Sequence, residues 1–62
     1  MIWFYEVKCA FEPTMLFTSP GLAEQWVERV KQRAPYRSPH IYKGLRAAHP
    51  ELISQLRSEL PG

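Results

Sequence analysis

Cys9, His40 and His49 are the only cysteine and histidines of this chain, so any thiol–imidazole pair must come from them. A nucleophile of that kind needs its base within hydrogen-bond reach and usually a third group to orient the base. Cys9 lies in the middle of a strand pattern on its apolar side, where a small buried residue is the expected role. Glu24 and Glu28 share a predicted helix face and read as solvated neighbours rather than as an acid–base pair. With no Asp, one Cys and two His, no spacing assembles a recognisable metal-ligand set. His40 and His49 instead fit turn and capping positions. The glycines at 21, 44 and 62 are isolated, so there is no phosphate-cradling loop. The sequence therefore predicts no catalytic residues, no metal site and no cofactor, and a protein that is not an enzyme.

Charge is more informative. The net charge is only +2, yet its distribution is uneven. Between Arg29 and Pro50 lie Arg29, Lys31, Arg33, Arg37, Lys43 and Arg46 with no acidic residue, and all the glutamates fall outside that window. Lys and Arg neutralise phosphates, and Arg planes and Tyr rings stack on bases. Those six cations are the candidate surface for nucleic acid, the alternative reading. Arg29, Lys31 and Arg33 also sit where a helix ends, and cations there are ordinary partners of the helix dipole.

The preferred reading is a protein-binding surface built from Ile2, Phe4, Tyr36, Arg37, Tyr42 and Arg46. Aromatic residues and Arg are the common anchors of interfaces, and an open strand edge can accept a strand from a partner.

The elements that must position these residues follow from a change of hydrophobic period at Ser19-Pro20-Gly21. Over residues 1–11, Trp3, Tyr5, Val7, Cys9 and Phe11 alternate as one apolar strand face, with Ile2, Phe4, Glu6, Lys8 and Ala10 on the other. Glu12-Pro13-Thr14 breaks the pattern, and residues 15–18 predict a short return strand. Ser19 is a good N-cap with Pro20 at the first helical position. The helix it opens, over 20–33, gathers Leu22, Ala23, Trp26, Val27 and Val30 on one stripe, and Ala34-Pro35 ends it. Ser38-Pro39 repeats the cap signal, and Ile41, Tyr42, Leu45 and Ala48 give a short helical stripe that Gly44 weakens; a third strand at 40–43 is the rival reading. Pro50 opens a last predicted helix over 50–60 with Leu52, Ile53, Leu56 and Leu60 on one face.

The stretch from Leu16 to Val30 resembles the last strand and C-terminal helix of pleckstrin-homology domains, with Trp26 matching the buried helix tryptophan of that family. The resemblance covers about a quarter of the chain. It implies packing alone, since the first hairpin that carries the lipid site in that family has no counterpart here.

Sixty-two residues make one small domain, residues 1–62, and 45% apolar content is too high for a disordered chain. The expected fold is α+β, an N-terminal β-hairpin followed by two or three short helices packed on one face (ββαα). The lone cysteine excludes an internal disulfide and, with no basic leader and no long apolar run, suggests a cytoplasmic protein without a membrane span. A bare hairpin with Ile2 and Phe4 exposed predicts further burial, by a partner or by a homodimer through the hairpin edge. A non-catalytic chain of this size suits a phage or bacterial accessory or inhibitor factor that modulates a larger protein.

Overall fold

The computed structural model describes residues 1–62. Strands β1 (Ile2–Lys8) and β2 (Met15–Phe17) are followed by helix α1 (Pro20–Arg33), a 3-10 turn (Pro35–Arg37), strand β3 (His40–Arg46), helix α2 (Pro50–Gln55) and the two-residue strand β4 (Leu56–Arg57). The strands form one mixed sheet in the order β3-β1-β2-β4. β1 is antiparallel to β2 and to β3, and β4 runs parallel to β2.

Helix α1 begins where the sequence places it. The Ser19 Oγ accepts from the Leu22 N–H at 3.3 Å, satisfying one of the orphan donors of the first turn, and Pro20 occupies a position that needs no donor. Its apolar stripe puts Ala23, Trp26, Val27 and Val30 against Val7 and Phe17, and these six residues are the buried core. Trp26 meets Phe17 in a tilted arrangement, ring centroids 6.4 Å apart. The tail returns to the same layer: Leu60 packs on the core and the Arg29 guanidinium donates to the Pro61 carbonyl at 2.8 Å.

The α+β class holds, but the arrangement is not a hairpin with helices on one face. Residues 40–46 form a third strand rather than a helix, in the direction of the rival reading. Its apolar positions at 41, 42, 45 and 48 mimic a helical stripe, yet all four are exposed, so they are not a core face. The last helix stops at Gln55 instead of running to 60. Leu56 turns extended to pair with Leu16, while Leu60 goes to the core on the other side of the sheet.

Helix α2 belongs to the second sheet face. Phe4 and Leu16, whose alternation points them away from the core cluster, line a cavity with His49 and Leu52 at the start of α2. Phe4 is only 5% exposed, so the expectation that it would lie open is overturned, and Ile2 is partly covered. Conversely, Trp3, on the apolar face of β1, is 52% exposed, because α1 packs over Val7 and Phe17 and leaves the end of the sheet around Trp3 and Leu45 open. Phe11 is not part of the strand: it stands 86% exposed in the loop with φ of 66°, a left-handed conformation that ends the alternation. Both edges of the hairpin are taken, β1 by β3 and β2 by β4, so the outer edges of the sheet belong to β3 and β4.

No helix is long and apolar enough to cross a membrane.

Candidate functional site

Strand β3 is a seven-residue outer edge, while β4 at the opposite side has two residues. An edge strand uses half of its backbone N–H and C=O groups on its neighbour and leaves the rest directed outwards. Ser38, in the left-handed conformation with φ of 48°, and the buried Pro39 redirect the chain from the 3-10 turn into this strand.

Register assigns its side chains. Trp3 faces Leu45, Tyr5 faces Lys43 and Val7 faces Ile41. This is the parity of the core residue Val7, hence the side of the sheet that carries α1. Ile2 faces Arg46, Phe4 faces Gly44, Glu6 faces Tyr42 and Lys8 faces His40 on the reverse side. Along the outer strip of the α1 side, Trp3, Ile41 and Leu45 are exposed. Among them stands Lys43, its ammonium 4.4 Å from the centroid of the Trp3 ring. On the reverse side Tyr42 is 51% exposed beneath Lys8, whose ammonium lies 5.5 Å from its ring, and the Arg46 guanidinium lies 5.2 Å from the ring of Phe4. Cations over aromatic faces are held in place by the ring quadrupole while remaining open to an anion.

The cations of the basic window divide into two groups. Arg33 and Arg37 both reach one oxygen of Glu12, at 2.8 and 2.6 Å, and Cys9 donates its thiol to the other at 3.3 Å. The Ala10 N–H donates to the Arg37 carbonyl at 2.9 Å. This cluster ties the β1–β2 loop to the end of α1 and to the 3-10 turn. Burial, reinforced by the hydrogen bond to Glu12 and its charge, pushes the Cys9 thiol above its ordinary pKa. Arg29 is engaged by the tail, and Lys31 is exposed on α1. Lys43 and Arg46 have no carboxylate partner, since the ion pairs of the protein are Lys8–Glu6, Arg33–Glu12 and Arg37–Glu12.

Of the expected protein-binding residues, the sheet brings Ile2, Phe4, Tyr42 and Arg46 to its reverse side, but Phe4 is buried. Tyr36 is exposed on the 3-10 turn, while Arg37 is mostly covered and already paired. Of the expected nucleic-acid residues, Lys43 and Arg46 point to opposite sides of the sheet and Arg33 and Arg37 share Glu12. Trp3, Ile41 and Leu45 were not expected at a surface site. The signal was present in the absence of acids from 29 to 50, but it becomes an edge only once β3 is placed.

His40 lies opposite Lys8 and His49 stands at the N-cap position of α2 without a side-chain cap bond, while the Cys9 thiol is hydrogen-bonded to Glu12 and to neither histidine. No group of three or more His, Cys or Glu side chains converges. The cavity under α2, about 290 Å³, mixes Glu6 and Glu51 with Arg46 and His49 at its rim. No protein family, curated protein or solved structure matches this chain.

Proposed function

We propose that this chain is a non-catalytic protein-binding module that takes an extended segment of a partner as a fifth strand against β3. One observation carries the reading: a seven-residue outer strand has its free backbone groups flanked by its own exposed Ile41, Tyr42 and Leu45, with the exposed Trp3 one strand further in. Strand addition draws affinity from main-chain hydrogen bonds and specificity from side chains on alternate positions. Edges in proteins that remain alone are usually shortened, bulged, covered or charged; β3 keeps its full length and three exposed apolar or aromatic residues, with Lys43 as its guard on the α1 side. Occupying an edge on a larger protein is also how so small a chain would act as an accessory or inhibitory factor. The nucleic-acid reading is the weaker of the two, because three of its six cations have partners within the chain.

The test is a titration of isotope-labelled protein with extended heptapeptides of varied sequence, followed by amide chemical shifts, beside a titration with single-stranded oligonucleotides at low and physiological salt. Shifts centred on Ile41–Arg46 and the Trp3 indole with peptides support strand addition. Steeply salt-dependent oligonucleotide binding with no peptide response would replace it with the nucleic-acid reading.

A further inference from the structure

We infer that the β3 edge selects acidic strands, and specifically a strand that places a carboxylate beside Lys43 between two apolar side chains. The inference rests on the strand-addition reading above and specifies its ligand.

On the α1 side of β3 the residues run Ile41, Lys43, Leu45. A strand laid along the edge would sit about 4.8 Å away, with its own alternate side chains beside these three. Apolar residues beside Ile41 and Leu45 would extend the exposed strip already formed with Trp3. The position beside Lys43 would face a side chain whose ammonium rests over Trp3 of β1 and is neutralised by no carboxylate of this chain, so a carboxylate on the added strand would draw it outwards. Apolar–acidic–apolar at every second residue is therefore the pattern that the edge complements. Because Ile41 and Leu45 flank Lys43 symmetrically, the pattern is the same for a parallel and an antiparallel ligand.

The reverse side adds to the selection. It presents His40, Tyr42, Gly44 and Arg46, with the unpaired Arg46 at its end. No acid stands anywhere on β3, so two copies of this chain pairing through it would set two positively charged strands side by side. Like charges facing each other across strands are destabilising, and a lysine on an edge is a recognised guard against self-pairing. The same lysine that disfavours a second copy favours a ligand with the opposite charge. The occupant is thus an acidic extended segment of another protein rather than this chain itself.

The probes are two heptapeptides, Thr-Val-Thr-Glu-Thr-Val-Thr and its lysine-centred counterpart, titrated into the whole labelled protein and into its Lys43→Glu and Lys43→Thr variants. The parent should bind the glutamate peptide about three- to tenfold more tightly, the range expected for exchanging an attractive for a repulsive cross-strand pair. Lys43→Glu should reverse the order and Lys43→Thr should abolish it. Position 43 is exposed, so neither substitution disturbs the core. Equal binding of both peptides at β3 by the parent would overturn the charge selection and leave strand addition standing. An unchanged order in Lys43→Glu would also overturn it, since the preference would then come from overall charge. Failure of every peptide to shift β3 would remove both readings, and so would a dimer with β3 protected from exchange.

Discussion

The far end of the Phe4 ring occupies the space where a Cβ would stand at Gly44, its partner across β1 and β3. The glycine is what allows an aromatic side chain to be buried on the sheet face opposite the main core. Arg46, two residues on, covers the same ring with its guanidinium. The pair thus joins the outer strand to β1 by packing as well as by hydrogen bonds.

Replacing that glycine sets two effects against each other. Alanine in a strand interior is favoured over glycine by roughly 0.5–1 kcal/mol through chain entropy. Forcing a methyl group into a well-packed site costs about 1–3 kcal/mol. The ring can yield only by moving into the cavity it lines, which relieves part of the clash at the expense of its packing, so Gly44→Ala should destabilise by about 1 kcal/mol in denaturant titration. Phe4→Leu should relieve part of the loss in the double variant. A Gly44→Ala protein as stable as the parent would mean that Phe4 does not occupy this position.

Trp26 is the largest member of the α1 core, and its truncation to Ala should cost about 3–5 kcal/mol, enough to unfold a domain of this size. The indole N–H has no hydrogen-bond partner in the protein. Trp26→Phe removes that unpaired donor and keeps an aromatic ring in the core but leaves a smaller cavity, so it should cost less than the alanine variant, about 1–3 kcal/mol. A cooperative melt of Trp26→Ala near the parent's midpoint would show that the α1 stripe faces water.

Helix α1 was legible because its signals are local: a serine cap, a proline, and a stripe at helical period that one sheet face must bury. Strand β3 was legible only as the rival reading at 40–43, because it is defined by a partner about forty residues away in sequence, and its exposed Ile41, Tyr42 and Leu45 happen to fall at helical spacing. Gly44 weakened the helical reading for a reason visible only in three dimensions, the ring of Phe4. The site suffered from the same blindness. Tyr42 and Arg46, named from residue type, lie exposed on β3, but Phe4 was misplaced because what covers it, Arg46 and the Leu52 side of α2, comes from segments distant in sequence. Arg37 was misplaced because nothing in the spacing of residues 12, 33 and 37 reveals that they meet.

Glu12 joins three segments, and its removal should be felt unequally by its partners. Arg33 is half exposed, where an ion pair is worth well under about 1 kcal/mol. Arg37 is more covered, and its Nε is buried without a partner, so it loses most when the carboxylate goes. Glu12→Gln should therefore destabilise by about 1–2 kcal/mol, and Arg33→Gln by less than half of that. Equal losses for the two variants in parallel denaturant titrations would show that Arg33, not Arg37, is the partner that matters.

The same carboxylate governs the thiol. Burial first, then the hydrogen bond to Glu12 and its negative charge, raise the Cys9 pKa, while Arg37 and Arg33 oppose the shift. Alkylation by iodoacetamide requires the thiolate, so its pH midpoint in the folded protein should lie above that of an unstructured cysteine peptide. In Glu12→Gln the negative charge is gone and both guanidinium groups are released towards the sulfur, so the midpoint should fall. The sign for stability follows by linkage: a raised folded-state pKa gives a contribution that is complete below the unfolded thiol's pKa and is lost as pH rises through the folded one. The parent should accordingly weaken on the alkaline side, and Cys9→Ala should lack that component of the decline. A midpoint at or below that of the free thiol would mean that the two arginines outweigh Glu12 at the sulfur, and the loop cluster would then be a site that activates Cys9 rather than one that protects it.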